Sequence, residues 1–301
     1  MPQIELSAGT IDYHDTGAGP VIVALHGLLM DASLWDATVA GLSADHRCVV
    51  PTLPLGAHRR PMRADADLSL RGIARLVAEF LDRLDLHDVT LVGNDTGGAL
   101  VQLLIAQPAA PGESAQPAAP AEPAARVGRV VLVSCDAFDN LPPGLPGRTL
   151  YLTGKLPPAG FGLFMQQMRL RPLRRLPLAF GWLTRRGDAT TARAMQPVLT
   201  LPEIRRDLVQ TLRAGTADGA ALRAAADRLP DFPGPTLVAW ASGDRVMPLD
   251  HGRRLAALFR SGQLVEIDDS YTLVPLDQPA ALARLIREFV GAPAPRPGPP
   301  N

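Results

Sequence analysis

An aspartate, Asp95, stands at the sharpest turn that this 301-residue sequence predicts, in the stretch LVGNDTGGAL (residues 91–100). An apolar strand enters the turn and an apolar helix leaves it, and Gly93, Gly97 and Gly98 remove β-carbons that would collide at such a reversal. The amides and dipole at the start of a helix favour an anion by about 0.3–1 kcal/mol. A carboxylate with a pKa near ~3.9 is ionised at neutral pH, so Asp95 is predicted to act as a nucleophile or a general base. The alternative is an ordinary helix cap.

The segments around Asp95 alternate between apolar runs and helical patterns. From Leu70 onward, apolar residues recur at helical spacing, which predicts a helix packed on a sheet. Alternating strands and helices favour the α/β class, with a mostly parallel sheet covered by helices on both faces. The eight predicted strands are QIEL (3–6), IDYHD (11–15), VIVAL (21–25), CVVP (48–51), DVTLVG (88–93), RVVLVS (129–134), PTLVAW (235–240) and QLVEI (263–267).

Residues 141–230 break this alternation, because they are helical and loop-like and rich in Arg, Pro, Leu and Met. We therefore predict a helical lid inserted after the sixth strand, between an N-terminal core part (1–140) and a C-terminal core part (231–290). The Ala/Pro tract at 106–125 is expected to be a mobile surface insertion, and the tail at 291–301 is expected to be disordered.

Three motifs carry a resemblance to a known superfamily. His26 and Gly27 follow a buried strand, with Trp35 eight residues beyond the glycine. GNDTGG (93–98) matches a Gly-x-nucleophile-x-Gly elbow with Asp95 in the nucleophile position, and WASGDRVMP (240–248) places Asp244 where a catalytic acid would be. Over nearly the whole chain the sequence resembles the α/β-hydrolase superfamily, and in particular its Asp-nucleophile branch of haloalkane dehalogenases and epoxide hydrolases.

This resemblance implies the role of each candidate residue. Asp95 would be the nucleophile or base, Asp244 the acid of a triad, and the backbone amides of Leu28 and Thr96 an oxyanion site. In relatives a histidine after the last strand activates water, but here Tyr271 stands at that position. A phenol with a pKa near ~10 is a poor base at pH 7 and a good hydrogen-bond donor. We therefore expect Tyr271 to contact one of the two aspartates.

The substrate pocket is expected to include residues near the carboxyl ends of the strands, where such folds bind ligands. Asp136 follows the sixth strand, and it is predicted to be a second acid, a substrate contact or a solvated loop carboxylate. The lid arginines are expected on a solvated outer face over an apolar inner face, so the substrate would be small and partly apolar. The predicted substrate-binding residues are His26, Trp35, Asn94, Asp136 and Phe138.

Several features leave the reaction open. Haloalkane dehalogenases usually place Trp after the nucleophile, where this sequence has Thr96, and epoxide hydrolases usually have two lid tyrosines, where this lid has Tyr151 alone. Of the six histidines, His58 is the least implausible replacement for the missing base. The two hypotheses are an enzyme that acts on an ester, halide or epoxide-like substrate, and a ligand-binding homologue that lost turnover with its histidine.

Composition limits the partners. Thirty basic and 30 acidic residues balance, which leaves no overall field for nucleic acid or an anionic membrane. Cys48 and Cys135 lie in apolar runs and are expected to be buried thiols, and no metal site or organic cofactor is implied. Because no signal peptide or membrane-spanning run is recognisable, we expect a soluble, cytoplasmic protein with a small-molecule substrate. The sequence does not indicate an oligomeric state.

Overall fold

The computed structural model describes residues 1–107 and 122–291 and contains all eight predicted strands. Every bound lies within two residues of the predicted one, and the largest extensions are those of β2 and β6. The strands are β1 (Gln3–Leu6), β2 (Gly9–Thr16), β3 (Val21–Leu25), β4 (Arg47–Pro51), β5 (Val89–Asp95), β6 (Val127–Cys135), β7 (Thr236–Ala241) and β8 (Gly262–Ile267).

The strands form one sheet in the order β1-β2-β4-β3-β5-β6-β7-β8. The pairs β1–β2 and β2–β4 are antiparallel, and every other neighbouring pair is parallel. All residues of β5 and β7 are buried. Because successive side chains of a strand point to opposite faces, this burial means that both faces of the central sheet are covered, as predicted for an α/β fold.

Helices cover the sheet and form a helical insertion between β6 and β7. In the core, α1 packs against α13, α2 packs against α3, and α11 packs on β7 and β8. Short 3₁₀ turns occur at 32–35, 167–169 and 229–231. The helices are α1 (Asp36–Leu42), α2 (Leu70–Arg83), α3 (Thr96–Ile105), α4 (Glu122–Ala125), α5 (Gly144–Thr153), α6 (Pro158–Gln166), α7 (Arg171–Arg174), α8 (Asp188–Ala194), α9 (Gln196–Thr200), α10 (Pro202–Ala226), α11 (Leu249–Leu258), α12 (Val274–Asp277) and α13 (Pro279–Gly291).

Six helices, α5 to α10, lie between β6 and β7, within the predicted lid of residues 141–230. Buried carboxylates of α10 tie this lid to the core. Asp207 accepts hydrogen bonds from the imidazole Nε2 of His58 at 3.1 Å and the amide of Met62 at 2.8 Å. Asp218 accepts one from the amide of Leu70 at 3.0 Å.

Two sequence predictions concern segments that lie largely outside the described residues, the Ala/Pro insertion at 106–125 and the tail at 291–301. The end of the insertion, residues 122–125, forms the single turn α4 directly before β6. Among residues 1–107 and 122–291, no helix is both long enough and apolar enough to cross a bilayer.

Candidate active site

Asp95 ends β5 and precedes α3 in a backbone conformation that side chains rarely adopt, with φ 56° and ψ −128°. The glycines around it allow this close packing. A β-carbon on Gly97 would collide with the backbone of β3, and one on Gly98 would collide with the side chain of Cys135. A β-carbon on Gly27 would collide with the carboxyl group of Asp95 itself. The glycines of both motifs therefore create the space that Asp95 occupies.

The carboxyl group of Asp95 is nearly enclosed, with 7% of the residue exposed. Burial raises its pKa to about 7, and the negative charge of Asp244 adds to this rise. The backbone amides of Thr96 and Leu28 lie close enough to the carboxyl group to oppose this rise. The two amides predicted as an oxyanion site thus interact with the carboxyl group itself.

Asp244 follows β7 and is fixed by three donors to its Oδ1. These are the amides of Val246 at 2.9 Å and Met247 at 2.8 Å, and the Oγ1 hydroxyl of Thr272 at 2.8 Å. Its Oδ2 is buried and has no hydrogen-bond partner among the described residues. Burial raises the pKa of Asp244 to about 6. Asp244 therefore presents one free acceptor in the interior.

The prediction that Tyr271 contacts Asp95 or Asp244 is wrong. The Tyr271 ring lies between the guanidinium groups of Arg185 and Arg245, 5.3 Å and 5.0 Å from its centroid. Within the described part of the chain, its hydroxyl reaches neither aspartate of the site. The next residue, Thr272, is fully buried and donates to Asp244 instead. The inward residue of the loop after β8 is therefore Thr272, one position beyond the predicted Tyr271.

Two predicted substrate-binding residues are buried structural groups instead. His26 is fully buried, and its Nε2 accepts a hydrogen bond from the amide of Leu53 at 2.9 Å. Burial lowers its pKa to about 4, so the imidazole is neutral. Asn94 donates to the carbonyl oxygens of Val133 at 2.9 Å and Thr272 at 2.7 Å. Asn94 therefore fixes the loop that carries Thr272.

Trp35 and Phe138 also lie away from the cavity over Asp95. Trp35 ends the 3₁₀ turn at 32–35 and is buried in the core. The chain turns away after β6, where Phe138 has a φ of 56°. Its ring packs edge-on against the imidazole of His251 at 5.4 Å and lies under the guanidinium of Arg254 at 4.0 Å. Both were expected to bind substrate, and both are packing residues.

Asp136 lies behind the cavity lining. Its Oδ2 accepts a hydrogen bond from the Oγ1 of Thr96 at 3.0 Å, and the residue is fully buried. Burial and the charge of Asp95 raise its pKa well above the ordinary value. The predicted solvated or substrate-contacting role is therefore wrong, and Asp136 supports Thr96 from below.

A cavity of about 70 Å³ opens over Asp95, between the elbow and the lid. Thr96 and Leu28 contribute to its floor. The described lining residues with polar side chains are Asp95, Thr96 and Thr149. Among the described residues that line the cavity there is no arginine, which agrees with an apolar inner face of residues 141–230. The apolar lining includes Pro143, Pro146, Leu150, Phe164, Met165, Met168, Phe180, Leu183 and Val246.

The described residues place no histidine in this cavity and no imidazole in hydrogen-bond contact with Asp95. His58, the least implausible substitute, pairs instead with Asp207 of the lid. No cluster of three metal-ligating side chains occurs in the described ranges. The chemistry at this site rests on a carboxyl group in an apolar enclosure. Sequence reasoning missed Thr272, because no local signal marks which residue of that loop points inward.

Comparison with known proteins identifies related sequences. A family model described as the alpha/beta hydrolase family matches residues 22–285. A 2-hydroxy-6-oxononadienedioate/2-hydroxy-6-oxononatrienedioate hydrolase from Cupriavidus pinatubonensis is 27% identical over 93% of this chain and 90% of its own. A haloalkane dehalogenase from Mesorhizobium japonicum is 34% identical, but over only 35% of this chain and 34% of its own.

Solved structures with the same fold are also similar. A haloalkane dehalogenase from Bradyrhizobium elkani aligns over 95% of both chains, with a TM-score of 0.72 and 17% identity. A thermophilic esterase from Thermogutta terrifontis aligns over 96% of this chain and 98% of its own, with a TM-score of 0.68 and 20% identity. At these identities the structures establish the fold alone.

Proposed function

Because the chain belongs to the α/β hydrolase family, we propose that it is an enzyme in which Asp95 reacts with a small, apolar substrate without an imidazole partner. One observation carries this proposal. A carboxyl group with its pKa raised to about 7 forms part of the floor of an apolar cavity, next to two backbone amides. Such a group is costly to bury, and perturbed carboxyl groups in clefts are typical of catalytic sites.

The role that the geometry supports best is general base and acid. A group with a pKa near the working pH is populated in both protonation states and is the most efficient proton carrier. The ionised Asp95 takes a proton from a water molecule while the water oxygen bonds to the acyl carbon of an ester. The bond between that carbon and the alkoxy oxygen then breaks, and the protonated Asp95 gives its proton to the leaving alkoxy oxygen. This sequence needs no histidine and no cofactor.

Direct attack by Asp95 on the substrate is the second candidate mechanism. The observation that favours it is that a threonine, Thr272, occupies the position beside Asp244. A carboxylate oxygen can displace a halide or open an epoxide and form an ester with the enzyme. In this chain the Thr272 hydroxyl contacts Asp244 where relatives have an imidazole. The described residues at this position therefore supply no histidine base to activate water for hydrolysis of that ester. The attack route therefore predicts a long-lived adduct rather than rapid turnover. The partial match to a haloalkane dehalogenase agrees with this chemistry.

The test compares wild type with Asp95→Asn after exposure to an activated ester, an alkyl halide and an epoxide. Base catalysis predicts released product from the ester, a rate that rises with pH through about 7, and loss of that product in Asp95→Asn. Nucleophilic attack predicts a mass increase on the peptide that contains Asp95. Intact-mass and peptide mass spectrometry, together with product assays, separate the two routes.

Asp218→Asn is the matched control, because Asp218 is also a buried carboxyl group whose pKa burial raises to about 6. It lies on α10 and does not line the cavity. Its variant should keep the reactivity of wild type. If wild type yields neither product nor adduct and binds apolar ligands unchanged in Asp95→Asn, the protein is a non-catalytic binder and the proposal is wrong.

A further inference from the structure

The lid carries an unusual set of exposed apolar residues. Apart from Met1, every exposed large hydrophobic side chain among the described residues is a leucine between positions 145 and 201. The most exposed are Leu163, at 73%, and Leu152, at 67%. Single exposed leucines are ordinary, but eight within one segment, with no exposed leucine in the other described residues, form a pattern typical of interaction surfaces.

The same segment is strongly cationic. Residues 141–201 contain nine basic residues and one acidic residue, Asp188. Eight of the nine basic side chains are exposed, and only Arg174 is buried. Within the described ranges, five of these exposed cations form no ion pair, namely Arg148, Lys155, Arg169, Arg175 and Arg193. This surface thus combines apolar groups with free positive charge.

The two kinds of side chain share one face of helix α5. Leu145, Arg148 and Leu152 follow at spacings of three and four residues on α5, which places them on one stripe of that helix. Leu178 is exposed and also lines the cavity over Asp95, so the cavity reaches the same surface. We call the exposed leucines and basic residues of 141–201 the lid face.

We propose that the lid face binds the surface of an anionic phospholipid membrane. Leucines reach the acyl boundary while Arg and Lys side chains extend to the headgroup phosphates, as in interfacial helices. The proposal does not depend on the reaction at Asp95.

A second copy of this chain fits the lid face poorly. Two lid faces would bring cationic surfaces together. The remainder of the chain is acidic, since the lid (141–230) holds 14 of 30 basic and 5 of 30 acidic residues, leaving 16 and 25 elsewhere. That remainder offers no exposed large hydrophobic residue besides Met1 among the described positions. The acidic remainder of a second copy would neutralise the arginines of the lid face and leave its leucines in water.

The neutral total charge of the protein hides this asymmetry. Long-range attraction depends on local charge, because potentials fall off within about 10 Å at 0.1 M ionic strength. Each basic side chain near an anionic bilayer strengthens binding about fivefold. A patch of free cations is therefore sufficient for measurable adsorption at low salt.

The test is sedimentation of the purified full-length protein with vesicles of phosphatidylcholine containing phosphatidylglycerol, and with vesicles of phosphatidylcholine alone. We expect binding to the anionic vesicles that weakens as salt is added. Arg169→Gln should lower the partition coefficient about fivefold, and Leu163→Gln about tenfold or more. Arg284→Gln, an exposed arginine of α13, should leave it unchanged.

Thermal unfolding of each variant checks that the fold is retained. Equal binding to both kinds of vesicle, no binding to anionic vesicles, or binding that Leu163→Gln and Arg169→Gln leave unchanged would overturn the proposal. Concentration-dependent dimerisation by analytical ultracentrifugation that Leu163→Gln abolishes would assign the lid face to a second copy and would also overturn it.

Discussion

Thr272 is the residue at which this site departs from a hydrolase with an imidazole base. Its hydroxyl donates to Asp244 Oδ1, while Asp244 Oδ2 remains buried and free to accept. An imidazole at position 272 could donate to that free oxygen and extend toward Asp95. Thr272 thus stabilises Asp244 without supplying a base.

Thr272→His is therefore expected to introduce or accelerate release of product, since the imidazole would activate water against an Asp95 ester. The measurement is the rate at which a preformed adduct is lost, or the turnover of an activated ester, in variant and wild type. Tyr271→His is the matched control and should gain nothing, because Tyr271 packs between two arginines. Equal gains in both variants would contradict the assignment of position 272.

Asp95 should lower the stability of the protein at neutral and alkaline pH. Its folded-state pKa, about 7, lies above the ordinary value of 3.8, so the folded protein binds the proton more tightly than the unfolded chain does. The free energy of unfolding then falls as pH rises from about 4 to about 7, by up to about 4 kcal/mol from this group. Below pH 4 both states are protonated and the penalty is absent.

Asp95→Asn removes this penalty. Urea unfolding should show the variant more stable than wild type at pH 8 and equal to it at pH 4. A difference that is constant across this range would show that Asp95 is not a desolvated acid.

At the residue scale, the sequence was sufficient to place Asp95 at the turn between β5 and α3 and insufficient to place the side chains around it. The glycines around Asp95 are a local requirement of one tight turn, so they are visible in the sequence. The inward residue of the loop after β8 depends on its path, including Asp269 at a φ of 54°, and the sequence pointed to Tyr271 instead of Thr272. Asn94 and His26 were assigned to the pocket because their chain positions adjoin it, whereas their side chains satisfy buried backbone groups.

The elbow between β5 and α3 is the element on which the site depends. Gly97→Ala should destabilise the protein by at least about 2 kcal/mol, although alanine is the better helix former, because its β-carbon would meet the backbone of β3. Gly160→Ala in α6 is the control, since the nearest atom to its β-carbon would lie at 3.6 Å. That variant should gain about 0.5–1 kcal/mol. Denaturant melts measure both changes.

Helix α10 holds the lid over the cavity through the buried pair of His58 and Asp207. Asp207→Ala leaves the imidazole and the amide of Met62 without an acceptor and should cost about 3 kcal/mol. Asp15→Ala, which breaks a surface pair with Arg47, should cost less than about 1 kcal/mol. Equal costs would show that the pair does not fasten the lid.

The eight strands were predictable because most of them are short apolar runs bounded by turn residues. The alternation of the later strands with helices implied the mostly parallel sheet. The helical insertion between β6 and β7 was predictable, since its composition breaks this alternation. Its packing was not, because pairings such as His58 with Asp207 join positions 149 residues apart.

For the whole molecule, the balance of 30 basic and 30 acidic residues conceals a positive lid and a negative remainder. Total charge is a sum that discards position, so it could not indicate the lid face. Exposure of the leucines emerges only from the packed structure, because the sequence pattern of an apolar lid fits a buried inner face equally well.

The central claim is that Asp95 is a desolvated carboxyl group that titrates near neutrality. Carbon-13 NMR of protein labelled at aspartate carboxyl groups measures this directly, and the Asp95 resonance is identified by its absence from Asp95→Asn. The account predicts a midpoint near pH 7 for that resonance. A midpoint near pH 4, the value of a solvated carboxylate, would contradict it.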